Sequence, residues 1–333
     1  MLDGIQEVKL STNHLPPPAG KRVSIVTPTY QRPLEIVELL ENISLQMLLP
    51  AEVIIVDGSS DGESETAIAQ VRSHTEFPFV IKYVRHEAGT SIQRNRGIEM
   101  AGGDYVALID DDVRLDEQFL SRVVNIFEDD GESEIGGIVG YRTNRHFKLG
   151  DRTRWRWYRR LRLLRCFEPG RYDFETGYPI NNNMQPPFSG IRPVDFMTTA
   201  CVVWRRAVFE SGLRFDPFFR DYGVLEDAHF SLRAGKQWKL IQSGDAHCVE
   251  LRSPNGRVRR DKLGFKCVVN YYYVFNEVAG PLRFPNKFRF WRFQAFELAR
   301  VGVSALRRRS FDDALEVVGR IKGIFAVMRG VVS

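Results

Sequence analysis

Four short apolar runs rich in β-branched residues, at 23–27, 53–56, 79–84 and 105–109, alternate with stretches of helical spacing. Those stretches lie at 33–47, about 63–73, 91–101 and near 116–128. Such alternation implies βαβ units and a mostly parallel sheet, so the chain reads as an α/β fold. In sheets of this kind ligands bind beyond the carboxyl ends of the strands. Thr29 and Tyr30, Asp57, and the trio Asp110, Asp111 and Asp112 follow the first, second and fourth runs. They are expected to converge on one crevice.

The trio carries the most chemistry. An apolar run ending in three adjacent carboxylates concentrates negative charge where the dielectric is low, which is costly unless positive charge shares the site. A divalent cation holding an anionic ligand meets that requirement. An acidic helix cap explains one aspartate but hardly three. The first βα turn has no G-x-G-x-x-G, and G-x-x-x-x-G-K-[ST] occurs nowhere, which removes the main support for a dinucleotide dehydrogenase or a P-loop NTPase. A nucleotide bound without those loops needs carboxylates on its base or ribose and a metal on its diphosphate.

The 333 residues suffice for one large α/β domain with an appendage, or for two modest domains. The net charge of +5 is locally concentrated: residues 152–165, RTRWRWYRRLRLLR, hold seven arginines, and 288–309 is again rich in arginine and aromatics. Basic patches suit phosphates, anionic lipid or nucleic acid, and do not choose among them. The four cysteines form no CxxC pair and sit in apolar surroundings. Buried free thiols of a reducing compartment are expected, rather than disulfides or a zinc site. Residues 1–20, ending in Pro16-Pro17-Pro18-Ala19-Gly20, read as a leader segment without the basic and apolar regions of a signal peptide. No stretch approaches the roughly 20 apolar residues that span a bilayer. A cytoplasmic protein, peripheral on the cytoplasmic face of a membrane, is the expectation.

After 135–141 the alternation stops, and 142–195 is loop-like. An apolar stretch at 196–204 precedes a helical 205–211, and 238–241 is a further strand candidate. The run from Glu226 to Arg233 opens like a helix with two acids at its N-terminal end, where the dipole favours carboxylates. From about 284 the pattern is helical, with Ser310 and Asp313 as a capping box for a last helix over 311–329.

Five motifs in order resemble those of family 2 glycosyltransferases with the GT-A fold. Val23-Ser24-Ile25-Val26-Thr27-Pro28-Thr29-Tyr30 is similar to their opening strand, and Val56-Asp57-Gly58-Ser59-Ser60-Asp61 to their V-D-D-G-S-x-D turn. Arg94-Asn95-Arg96-Gly97 resembles A-R-N-x-G, and the end of the fourth run resembles D-x-D. Leu225-Glu226-Asp227 with Ser231-Leu232-Arg233 resembles G-E-D-x-x-[LF]-x-x-R, although Leu225 stands where glycine is common. The likeness covers about residues 22–250. It implies a GT-A domain over 21–280, with a donor half to 145 and an acceptor half from 146, followed by a helical extension over 281–333.

The resemblance also implies roles. Thr27, Pro28 and Tyr30 line the base pocket, Asp57 meets base or ribose, and Arg94 reaches the donor phosphates. Asp110 makes a ribose or water-mediated contact and Asp112 is the direct metal ligand. Asp111 is grouped with the donor side by position but has no contact of its own, as a solvent-facing or capping residue. His247 is a second metal ligand, whereas His229 packs. Asp227 is the general base of an inverting transfer and Glu226 orients the base or the acceptor. The implied cofactor is Mg²⁺ or Mn²⁺, and the implied donor a UDP-sugar, with GDP- and dTDP-sugars as alternatives. The acceptor is a sugar or a lipid-linked sugar, in cell-surface polysaccharide or glycolipid synthesis. An anionic membrane surface is a further partner; a nucleic acid is not, since no nucleic-acid motif accompanies the basic stretches. Two other classes share parts of this pattern, a sugar nucleotidyltransferase and a non-catalytic carbohydrate- or lipid-binding module. The first lacks its Gly-rich loop here, and the second has no need of Asp110, Asp112 and Asp227 together.

Overall fold

The computed structural model describes residues 21–144, 149–219, 223–251 and 258–330; the leader assigned to 1–20 lies outside them. The first half alternates as expected. Strands β1 (Val23–Thr29), β2 (Glu52–Asp57), β3 (Val80–Arg85) and β4 (Tyr105–Ile109) are separated by helices α1 (Pro33–Ser44), α2 (Glu63–His74) and α3 (Thr90–Met100). After β4 come β5 (Val113–Leu115), α4 (Phe119–Asp129), β6 (Ile135–Arg142) and α5 (Leu149–Arg160). A small hairpin, β7 (Tyr172–Asp173) with β8 (Tyr178–Pro179), precedes β9 (Ile191–Pro193), β10 (Cys201–Arg205) and α6 (Arg206–Glu210). The chain continues through α7 (Glu226–Ala234), β11 (Lys239–Glu250), α8 (Arg260–Ala279), α9 (Phe284–Arg308) and α10 (Phe311–Met328).

The main sheet runs β3-β2-β1-β4-β10-β6-β11-β5, with β9 on β11. The pairs β1–β2, β1–β4, β2–β3 and β6–β11 are parallel, while β10, β5 and β9 pair antiparallel with their neighbours. The result is a mixed, mostly parallel sheet flanked by helices, with further helices at the C-terminal end. Its central strands are continuously apolar because both faces are covered. Ile25, Val53, Ile55, Ala107 and Ile109 pack under α1 and α4, while Val26, Ile54, Val56, Val106 and Leu108 pack under α3, α6 and α7. Gly97 sets the approach of α3: a Cβ there would lie 2.2 Å from Val26 Cγ1. The glycine of the Arg94-Asn95-Arg96-Gly97 motif thus lets α3 lie on β1 and carries Arg94, one turn earlier, to the strand ends.

The basic stretch at 152–165 becomes α5 and the turn after it, and it is not wholly a solvated surface. Trp155 and Tyr158 are buried in a cluster with Phe293 of α9, and Tyr158 Oη donates to Glu297 Oε1 at 2.7 Å. The last helix starts as its capping box predicts, with the Asp313 amide donating to Ser310 Oγ at 3.2 Å. Helix α8 has no counterpart in the pattern reading. It contacts α7, α9 and α10, so its apolar and aromatic residues do not fall on one stripe with a polar back.

Helices α8 and α10 touch backbone to backbone. A Cβ on Gly319 would lie 1.9 Å from the Asp261 carbonyl O, and one on Gly264 2.2 Å from the Glu316 carbonyl O. Backbone cannot swing aside as a side chain can. Gly319→Val is therefore expected to separate the two helices and destabilise the protein by about 1–3 kcal/mol or more, read as a lower denaturant midpoint. Gly302, on α9, would meet nothing within 4 Å. Gly302→Ala should leave the midpoint unchanged or raise it by about 0.4–1 kcal/mol; equal losses in both variants would refute the contact argument.

Candidate active site

A cleft of about 350 Å³ opens where the carboxyl ends of β1 and β4 meet the N-terminus of α7. Pro28, Tyr30, Arg94, Asp110, Asp111, Asp112, Glu226 and Asp227 all line it. Residues 110–112 and 226–227 are therefore brought together across more than a hundred positions of sequence.

Arg94 joins the two acidic groups. Its Nη2 donates to Asp110 Oδ1 at 2.9 Å and its Nη1 to Glu226 Oε1 at 3.0 Å, with the guanidinium carbon 5.7 Å from the Phe215 ring centroid. Arg94 is only 3% exposed. The resemblance implied a reach to donor phosphates; in the structure its two terminal nitrogens pair with carboxylates on both sides of the cleft. The reason is burial, since a guanidinium at this depth needs anionic partners within the protein.

Asp111 also departs from expectation. It is buried, not solvent-facing: Thr29 Oγ1 donates to its Oδ2 at 2.8 Å and Arg32 Nη1 to its Oδ1 at 2.5 Å. Burial pushes its carboxyl up to about 6, against the lowering effect of Arg32 and Thr29. Asp112, one residue on, has 15% of its side chain exposed, and Arg32 Nη1 lies 4.0 Å from its Oδ2. Asp110 is shifted upward by burial, opposed by Arg94.

Asp227 sits in the first turn of α7, where its own Oδ1 accepts the Ala228 amide at 2.7 Å. Burial, and then the neighbouring Glu226 charge, push its carboxyl up to about 7. The residue that starts this helix, Leu225, has φ +70°, the left-handed region that glycine enters freely. Its side chain packs with the cluster of Phe219 and Val274. The departure from glycine noted in the sequence thus leaves a strained residue immediately before the two acids. His229 is buried between the Phe219 and Tyr273 rings, and burial lowers its imidazole to about 4.

Three expected residues do not line the cleft. Thr27 is fully buried within β1, beneath a sheet covered on both faces. Asp57 is likewise fully buried; its Oδ2 accepts from Tyr83 Oη at 2.8 Å and its Oδ1 from the Ser59 amide at 2.7 Å, so its carboxylate holds the turn after β2. His247 follows a bulge in β11, where the register against β6 jumps between Gln242 and His247. Its Nε2 lies 2.8 Å from the Gly244 carbonyl O, and the residue that faces the cleft is Glu250, three positions on.

The cleft also holds residues that pattern reading passed over. Arg142 Nη1 pairs with Glu250 Oε2 at 2.6 Å, while its Nη2 donates to Thr198 Oγ1 and its Nε to Asn183 Oδ1. Gln93 ties three loops together: its Nε2 donates to the Thr29 and Val56 carbonyls and its Oε1 accepts the Gly89 amide. Arg142 directly follows the apolar run at 135–141 and so stands at a strand end legible in sequence; Glu250 ends β11, which continues well past the strand expected at 238–241, so the same pattern does not mark it.

Among the described lining residues are six carboxylates, Asp110, Asp111, Asp112, Glu226, Asp227 and Glu250, and three arginines, Arg32, Arg94 and Arg142. When all are ionised, negative charge exceeds positive by three. Hard oxygen donors in an electronegative cleft fit Mg²⁺ or Mn²⁺. Among the described residues no three His, Cys, Asp or Glu side chains form a ready-made metal cluster.

The glycosyl transferase family 2 model matches residues 24–192. Over 91 residues, 27% of this chain and 32% of the relative, the sequence is 38% identical to the uncharacterized glycosyltransferase YwdF of Bacillus subtilis (strain 168). Over 125 residues, 35% of this chain and 38% of the relative, it is 29% identical to a glucosyl-dolichyl phosphate glucuronosyltransferase of Haloferax volcanii. The matched region thus spans about a third of the length of these curated relatives. The mannosyltransferase PcManGT from Pyrobaculum calidifontis, in complex with GDP-Man and Mn²⁺, superposes with a TM-score of 0.56. That superposition covers 92% of this chain and 88% of the other at 18% identity, a likeness of fold.

Proposed function

The chain belongs to glycosyl transferase family 2, and from that premise we propose that it moves a single sugar from a nucleotide-diphosphate sugar to a hydroxyl acceptor, with inversion. The observation that carries this reading is the Asp110–Arg94–Glu226 bridge, which holds a donor-side and an acceptor-side acid in one cleft. Pro28 and Tyr30 offer a surface for the nucleobase, with Tyr30 42% exposed. Asp112, with Asp110 beside it, would hold a Mg²⁺ or Mn²⁺ ion, which when bound neutralises charge on the departing nucleoside diphosphate.

Asp227 takes the proton of the acceptor hydroxyl as that oxygen attacks the anomeric carbon. Its raised pKa suits a base working near neutrality. Glu226, fixed by Arg94, orients the acceptor and keeps negative charge beside Asp227. Asp111, pinned by Thr29 and Arg32, holds the turn that presents Asp110 and Asp112.

We assign the acceptor to the lipid-linked sugars and the setting to cell-surface polysaccharide or glycolipid synthesis at the cytoplasmic face of a membrane. The glucosyl-dolichyl phosphate named for the Haloferax volcanii relative supports a lipid-linked acceptor. No helix of the described residues is long and apolar enough to cross a membrane, so contact with lipid would be peripheral. A UDP-sugar is the proposed donor. A thermal-shift panel of UDP-, GDP- and dTDP-sugars with and without Mn²⁺ tests this: a donor at 100 times its Kd stabilises by about 2.7 kcal/mol. One nucleotide class is expected to raise the melting temperature, and only with the metal. If no nucleotide sugar does so at millimolar concentration, the reading fails.

A further inference from the structure

Helix α10 has two unlike sides. Its inner side packs on α8 through Gly319 and Gly323. Its outer side exposes Phe311, Ala314, Val318, Ile321, Phe325 and Met328, spaced alternately by three and four residues, which places them in one stripe along the helix. These are not marginal exposures: Phe311 is 75% exposed, Phe325 56% and Met328 73%. Two large apolar residues of α9, Val303 and Leu306, are also exposed near the turn between the helices, where Ser304 Oγ donates to Asp313 Oδ2 at 2.7 Å.

Charge distinguishes the possible occupants. Arg307, Arg308 and Arg309 are exposed at the turn, and Lys322 and Arg329 are exposed on α10. Of the three acids on α10, Asp312 alone is exposed; Asp313 accepts from Ser304, and Glu316 pairs with Arg320 and Arg260. A second copy meeting this face would bring two strongly basic rims together. An anionic bilayer supplies apolar depth for the stripe and negative headgroups for the rim, the pattern of a helix lying in the membrane interface.

We propose that α10, with the arginine turn before it, is the surface by which this protein lies on anionic lipid, its axis in the membrane plane. This deepens the peripheral-membrane reading above and rests on it. Both basic aromatic stretches of the sequence spend aromatics on the protein interior: 152–165 buries Trp155 and Tyr158, and 288–309 buries Phe290 and Phe293 of α9. The outer residues of α10, which follows the second stretch, are exposed. The contact also reaches toward the cleft: α8, on which α10 packs, donates from Asn270 Nδ2 to the Val224 carbonyl O at 2.9 Å, two residues before Glu226.

The full chain is floated with vesicles of phosphatidylcholine alone and with vesicles containing one-third phosphatidylglycerol. The variants are Phe311→Ser with Ile321→Ser and Phe325→Ser, and, separately, Trp157→Ser with Arg160→Ser on the exposed side of α5. All replaced side chains are exposed, so thermal midpoints should match wild type and certify the fold. The proposal expects wild type to bind the anionic vesicles only, the α10 variant to partition at least tenfold more weakly, and the α5 variant to bind like wild type. Wild-type binding that the α10 variant retains would overturn this assignment while leaving the membrane reading intact. No binding by wild type would sink both. A dimer in light scattering that becomes monomeric in the α10 variant would give the stripe to a second copy and overturn the proposal.

Discussion

Arg94→Ala is expected to be the most damaging single substitution in the cleft. Removing the guanidinium leaves Asp110 and Glu226 facing each other without the cation that separates them. Breaking a buried ion pair from one side costs about 3–5 kcal/mol, because the remaining charge stays desolvated. The loss should appear as a lower denaturant midpoint at neutral pH and shrink in acid, where the stranded carboxylates take up protons. Transfer should be lost as well, since Glu226 is no longer held. Arg94→Lys keeps one positive charge, but an ammonium lacks the planar fork that meets two acids at once. It is expected to recover part of the stability and little of the activity. An Arg94→Ala protein as stable as wild type would show that the bridge holds nothing in place.

The second large effect concerns Asp227. If it is the general base, Asp227→Asn should reduce transfer by about 10²–10⁴-fold while leaving metal-dependent donor binding intact. The pH profile gives an independent check. A base acts deprotonated, and burial with the Glu226 charge raises the Asp227 pKa to about 7. The rate should therefore climb with pH up to neutrality and level off above it. Glu226→Gln removes the neighbouring negative charge and frees Arg94, whose own influence on Asp227 is to lower its pKa. Both changes favour the ionised form, so the acid limb should move to lower pH even if the maximal rate falls. A limb that stays in place, or moves upward, would assign the titration to another group.

Much of this architecture was legible locally. The alternation in the first half, the strand-end position of Asp110, Asp111 and Asp112, the helix opening at Glu226 and the cap at Ser310 each depend on neighbours within a few residues. Helix α8 was missed because partners on several sides dissolve the two-faced pattern that marks a surface helix. A bulge shifts the register of β11 before His247, and in the fold Glu250 rather than His247 lines the cleft. Asp57 illustrates a third limit. An aspartate before glycine is open in sequence to a ligand or to a turn; in the fold its carboxylate accepts from Tyr83 Oη of the next strand and from the Ser59 amide, and it is not among the cleft-lining residues.

Local sequence carries the α/β class, the family and the strand-end position of Asp110, Asp111 and Asp112, because periodicity and strand-end chemistry are properties of short segments; that Glu250 joins them and Asp57 lies outside the cleft is decided by the fold. Tertiary structure alone decided what those acids do to one another. Arg94 is committed to Asp110 and Glu226, Asp111 is sealed beneath Arg32, and Asp227 is lifted toward neutrality by burial and by Glu226. Desolvation and charge pairing depend on distances across the fold, between residues as far apart as 94 and 226, and no local pattern encodes them.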